Sequence, residues 1–148
     1  MLQIYKKNKG EYRKMTGKKI EVVAGLIMCN NQVLIGQRKR GKDLEYKWEF
    51  PGGKLEQGET CKECLCRELM EEMQLPIIVG DYFMSSAYNY DFVTILMHVY
   101  WASTTTQKVP ELFEHEQYKW VNITDLGKYD FAPADKPIIN SLIKKTAV

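Results

Sequence analysis

Nothing in the 148-residue sequence approaches the roughly 20 consecutive apolar residues that a membrane-spanning helix requires. Its longest apolar stretches, 22–28 and 93–97 (the latter interrupted by Thr94), are far shorter. Histidine occurs only twice, at His98 and His115, and cysteine four times, at Cys29, Cys61, Cys64 and Cys66. Three of those cysteines crowd into the stretch 61–66, and no second Cys or His pair follows at zinc-finger distance. That pattern suits neither a disulfide framework nor tetrahedral zinc and reads as free thiols in a reducing cytosol. With 5 Pro and 10 Gly, and no repeat, low-complexity tract or Pro/Gly/Ser linker, the chain is neither collagen-like nor a solenoid nor a disordered tail. The N-terminus lacks the apolar segment of a secretory signal and the Ser and Arg enrichment of a transit peptide, so the expected location is cytoplasmic.

What is present is an ordinary globular composition, 45% hydrophobic and 27% charged, at a length that fits one core. The net charge of +2 conceals a division. Seven basic residues (Lys6, Lys7, Lys9, Arg13, Lys14, Lys18, Lys19) face one acid (Glu11) in the first 19 positions, leaving the remaining chain at −4. Residues 1–18 therefore read as a basic extension that frays in solvent, and 19–148 as a single domain.

Ile20–Met28 is β-branched and apolar, Asn30-Asn31 signals a turn, and Gln32–Arg38 is extended, which together predict a hairpin. Thr60-x-x-Glu63 is a capping box, and Leu65, Leu69 and Met73 recur every four residues, predicting a helix over 61–73 that Pro76 cannot continue. Two strands are expected over 77–90 and 91–101, and a short one around Trp120-Val121. Pro137 and the stripe Ile138, Ile139, Leu142, Ile143 predict a final helix. The order β-β-α-β-β-β-α implies an α+β fold, a mixed sheet sandwiched between helices.

The most informative stretch is Gly52–Leu75. Residues 54–73 hold six acids (Glu56, Glu59, Glu63, Glu68, Glu71, Glu72) against three bases (Lys54, Lys62, Arg67). On a helix, Glu68, Glu71 and Glu72 fall within about 100° of arc. Such crowding costs a helix a few tenths of a kcal/mol per like pair and invites compensation. One compensation is a hard divalent cation, since Mg²⁺ joins one or two carboxylates to substrate phosphates. The other is a solvated helical face on which Arg67 pairs with Glu71.

The spacing favours the cation. Gly53, five residues, Glu59, seven residues, Arg67-Glu68-Leu69, one residue, Glu71-Glu72, one residue, Gln74-Leu75 resembles the signature of the Nudix family, G-x5-E-x7-R-E-U-x-E-E-x-G-U with U aliphatic. One fixed position departs: Gln74 stands where the family has glycine. That glycine closes the helix in a left-handed conformation that costs Gln about 1 kcal/mol, so the departure bears on the helix exit, not on the ligands. The resemblance implies the Nudix fold, an α/β/α sandwich, with Mg²⁺ as cofactor and Mn²⁺ as substitute. It implies the Gly52 carbonyl, Glu68, Glu71 and Glu72 as metal ligands, oriented from behind by Arg67, Glu59 and Gly53.

Trp48-Glu49-Phe50-Pro51-Gly52-Gly53-Lys54 and Phe131-Ala132-Pro133-Ala134-Asp135 look like segments of the MutT-like subgroup, which hydrolyses nucleoside triphosphates to monophosphate and pyrophosphate and sanitises nucleotide pools. Glu114, six residues before Trp120, matches a further metal-associated glutamate or base of that subgroup and rivals Glu68 for the base; Glu116 competes with it. By the same resemblance Arg38, Tyr88, Phe131 and Asp135 line the base site. Asp135 stands where oxidised-guanine enzymes have Asn, whereas relatives acting on cytidine triphosphates carry Asp there. An ionised Asp only accepts hydrogen bonds, which suits an amino group, while Asn donates and accepts. Two other readings accompany this one: hydrolysis of a different diphosphate-linked substrate, or a non-catalytic Nudix-fold module that binds bases or proteins. The expected partner is a small nucleotide, with neither membrane nor nucleic acid.

Overall fold

The computed structural model describes residues 5–8, 11–14, 18–91, 93–109 and 115–146. Within the extension expected to fray, strand β1 (Tyr5–Asn8) pairs antiparallel with β2 (Glu11–Lys14), each holding a strand-favouring tyrosine. The main sheet then begins at Lys18, one residue before the expected boundary.

Strands β3 (Lys18–Cys29) and β4 (Gln32–Arg38) form the expected hairpin. Asn30 and Asn31 both take left-handed φ, 50° and 63°, as a two-residue turn matched to strand twist requires. The pair holds only at Met28↔Val33 and Cys29↔Gln32 before the strands diverge. Beyond that point β3 pairs with β6 (Gly52–Lys54), while β4 pairs with β5 (Trp48–Glu49) and β9 (His115–Val121). On its other side β3 runs parallel to β8 (Val93–Ser103), which pairs antiparallel with β7 (Ile78–Tyr90) at the sheet edge. The two- and three-residue strands β5 and β6 lie between the expected hairpin and the expected helix, where the sequence pattern predicts no strand. They are strands only because distant β3 and β4 offer them partners.

Helix α1 (Cys61–Met73) has the predicted bounds. Thr60 Oγ1 accepts from the Glu63 N–H at 3.1 Å, and the Thr60 hydroxyl donates to the Glu63 carboxylate at 3.0 Å. Its exit is closed by Gln74 itself, left-handed at φ 52° and ψ 36°, with its N–H donating to the Met70 carbonyl at 3.0 Å. The glycine's conformation is therefore retained without the glycine. Helix α2 (Lys136–Thr146) follows a 3-10 turn at Pro133–Asp135.

Alternation along β3 separates two cores. Val22, Ala24 and Leu26 pack with Ile138 and Leu142 of α2, whereas Val23 and Ile27 pack with Leu65, Leu69 and Met73 of α1. The sheet is thus covered by a helix on each side, the predicted sandwich. Each of those fully buried leucines contributes about 2 kcal/mol of apolar burial. No described helix is long and apolar enough to cross a membrane.

Candidate active site

Arg67 gathers the acidic residues of α1 and the loop before it. Its Nε and Nη2 donate to the two Glu59 carboxylate oxygens at 3.0 and 2.7 Å, a bidentate pair. Nη2 also donates to the Lys54 carbonyl at 3.1 Å, and Nη1 to Glu68 at 3.0 Å and Glu71 at 3.1 Å. The guanidinium, helped by the Glu56 N–H, holds the Glu59 carboxyl at about 2, and these acceptors raise the already high pKa of Arg67. Glu68 and Glu72 are buried on the helix face turned to the sheet, while Glu71 reaches solvent. Burial pushes Glu72 up to about 7.

The predicted convergence is therefore met in part. Glu68 and Glu71 share one guanidinium nitrogen, and Glu72 lies one turn beyond Glu68. Among the described residues no three His, Cys, Asp or Glu side chains form a ready cluster for an ion. Glu116 is exposed on β9, and Glu114 lies outside the described residues.

Gly52 and Gly53 join this helix edge to the cleft. A Cβ on Gly53 would fall inside the Glu68 carboxylate, and one on Gly52 would collide with the Val23 carbonyl. Only glycine lets β6 lie flat between β3 and the acidic helix. The oxygen-rich donor set, two buried carboxylates, one exposed carboxylate and the carbonyl of Gly52, fits a hard divalent cation. Cys64, the nearby soft atom, is committed elsewhere: its Sγ donates to the Lys54 carbonyl at 3.5 Å, and burial pushes its thiol up to about 12.

The cleft opens where β3 and β4 diverge. It is lined by the apolar side chains of Val22, Ile95 and Met97 and by Phe50, Tyr90 and Ala134. Its polar end is Arg38, Glu49 and Asp135. Asp135 is buried, with Oδ1 accepting from the Phe50 N–H at 3.1 Å. Burial, with the Glu49 carboxylate beside it, pushes the Asp135 carboxyl well above its ordinary 3.8.

Arg38 lines the cleft as expected, but its Nη1 donates to Glu49 at 2.9 Å and its Nε to the Asp43 carbonyl at 2.6 Å. The other two expected base-site residues lie outside the lining of the cleft. Tyr88 is exposed, because β7 is the sheet edge; its ring packs on Tyr90 at 4.6 Å, and Tyr90 forms the wall. Phe131 is buried beneath the cleft, 5.3 Å from Phe50, which takes the wall position.

Sequence reasoning missed Glu49 and His115. Glu49 sits between two buried aromatics, Trp48 and Phe50, a signal that a carboxylate here needs a partner. Burial alone would raise it, but His115 and Arg38 together hold it below its ordinary value. His115 is buried at the start of β9, with Nδ1 2.6 Å from the Tyr118 hydroxyl and Nε2 3.4 Å from Glu49 Oε1.

An acidic helix edge, set through two glycines against a cleft that is apolar below and polar at one end, is the architecture of a Nudix hydrolase. The chain belongs to that family: the NUDIX domain matches residues 19–142. It is 32% identical over 126 residues to the CTP pyrophosphohydrolase of Escherichia coli strain K12, covering 85% of this chain and 93% of that protein. It is 31% identical over 126 residues to the 8-oxo-dGTP diphosphatase of the same strain, covering 84% and 97%. A solution NMR structure of the MutT mismatch repair protein from methicillin-resistant Staphylococcus aureus 252 shares 38% identity and a TM-score of 0.67, covering 86% of this chain and 97% of that one. These relatives place the chain with the MutT-like members, and hydrolases of the family generally use a divalent metal.

Proposed function

We propose that this protein is a Mg²⁺-dependent pyrophosphohydrolase that converts (deoxy)nucleoside triphosphates of the 8-oxo-dGTP or (d)CTP type to monophosphate and pyrophosphate, clearing unwanted nucleotides from the cellular pool. The observation that carries this reading is the Gly52–Gly53 strand, which belongs at once to the cleft wall and to the seat of Glu68. A base in the cleft thereby has its phosphates delivered to the acidic edge of α1.

The Gly52 carbonyl and Glu68, Glu71 and Glu72 hold the metal, with Glu114 as a further ligand and rival to Glu68 as base; Mn²⁺ substitutes for Mg²⁺. Bound metal supplies charge neutralisation for a triphosphate of about −4 and lowers the pKa of the attacking water. Arg67 and Glu59 fix the carboxylates, so that substrate meets a preorganised oxygen array. At the other end of the cleft, Asp135 in its acid form donates as well as accepts. It then offers the same pairing as Asn, which extends its range from the cytosine amino group to the donor–acceptor edge of 8-oxoguanine.

The test is a comparison of kcat/KM with Mg²⁺ across 8-oxo-dGTP, dGTP, dCTP, CTP and 5-methyl-dCTP. The expected result is a preference of at least about 100-fold for 8-oxo-dGTP or a cytosine nucleotide over dGTP. Equal rates on all five, or none on any, would contradict the proposal.

A further inference from the structure

His115 is a buried, charge-capable side chain that the proposed chemistry leaves unused. It opens β9 directly opposite Arg38, at an irregularity in the β4–β9 pairing. Space for its ring is made by Gly36, where an added Cβ would lie 2.8 Å from His115 Cδ2 and 3.0 Å from Tyr118 Cε1. The Tyr118 hydroxyl at 2.6 Å fixes the ring through Nδ1. When that hydroxyl donates, Nε2 carries the proton and faces the Glu49 carboxylate.

Nε2 is buried and makes no hydrogen bond among the described residues; Glu49 Oε1 lies 3.4 Å from it, an ion-pair distance. The same Oε1 accepts from Arg38 Nη1 at 2.9 Å, while Oε2 is held less closely, at 3.4 Å. Glu49 and Arg38 line the cleft, and His115 lies behind them. Tyr118, His115, Glu49 and Arg38 thus form one connected chain that ends at the polar end of the cleft, beside Asp135.

We propose that His115 is a positioning residue for base recognition: from behind the cleft wall its Nε2–H anchors one Glu49 oxygen, leaving the other oxygen and the Arg38 guanidinium oriented towards the base. This rests on the nucleotide reading above and adds to it the group that sets the polar end of the cleft. A part-buried carboxylate that loses the imidazole beside it rotates towards other donors, and its guanidinium partner moves with it. His115 itself touches neither base nor phosphate, so its loss acts on binding and discrimination rather than on the chemical step.

The experiment measures kcat and KM with Mg²⁺ for 8-oxo-dGTP, dGTP, dCTP and CTP on the full chain and on His115→Phe, His115→Gln and Tyr118→Phe, with thermal unfolding of each. His115→Phe is expected to raise KM for the preferred triphosphate about tenfold, with kcat within about threefold. Its preference among bases narrows accordingly. His115→Gln restores a donor and recovers most of the preference, and Tyr118→Phe shifts it the same way by less. Base ratios unchanged in His115→Phe, or a uniform loss of kcat on every substrate, would overturn the inference while leaving the nucleotide reading intact. If His115→Phe fails to fold, Tyr118→Phe decides by the same ratio. A wild-type chain without turnover would overturn both.

Discussion

Asp135 is buried, holds one oxygen on the Phe50 N–H and feels the charge of the part-buried Glu49 carboxylate. Its folded pKa is raised, so at pH below 3.8 folded and unfolded chains are both protonated and it contributes no pH dependence. Above that, the unfolded carboxyl ionises while the folded one keeps its proton, and stability falls as pH rises until the folded pKa is passed. Asp135→Asn retains the acceptor for Phe50 and removes this loss. The variant is therefore expected to gain stability over wild type at pH 7.5 and not at pH 3.5, measured by urea unfolding at both. An equal gain at the two pH values would mean that burial does not hold the proton there. Arg67 is the opposite kind of residue, a permanent cation whose five donors are matched to Glu59, Glu68, Glu71 and the Lys54 carbonyl. Helical spacing placed Arg67 beside Glu71 and put Glu68 on the same edge, because a helix maps positions onto space directly. Glu59 entered only through the family resemblance, and the Lys54 carbonyl through neither. Spacing could not locate Tyr90 or Phe50 as cleft walls, because whether an aromatic at a strand edge faces a ligand depends on neighbours far along the chain.

At the scale of elements, α1 was legible to the residue: the Thr60–Glu63 cap, the period of Leu65, Leu69 and Met73, and Pro76 all agree. Its last turn is where local preference and fold disagree. Gln74 is left-handed, a conformation that glycine adopts without steric cost. Gln74→Gly is therefore expected to stabilise the protein by up to about 1 kcal/mol, less whatever the freer unfolded chain takes back. A shift of the urea midpoint to higher concentration at constant m-value checks this; a shift to lower concentration contradicts it. The short strands β5 and β6 were illegible for a different reason. Two or three residues carry no periodicity, and Val22↔Lys54 and Gly36↔Glu49 pair segments that only the tertiary fold brings together.

The whole molecule is organised by the divergence of β3 from β4. That opening creates the cleft, admits β6 with its two glycines, and sets the cleft beside the acidic helix. The body of the chain from residue 20 on carries −4, so a triphosphate is repelled unless cations accompany it. That repulsion supports the proposed metal dependence, alongside the donor set. The composition announced a mildly acidic domain, and the family signature the acidic edge. The cleft itself emerged only with the fold. The most direct measurement is identification of the products released from the preferred triphosphate by phosphorus NMR, with Mg²⁺, with chelator, and with Glu71→Gln. The account predicts monophosphate and pyrophosphate in equal amounts, abolished by chelator and reduced at least about 100-fold in Glu71→Gln. Diphosphate with orthophosphate, or pyrophosphate release that survives removal of metal, would contradict it.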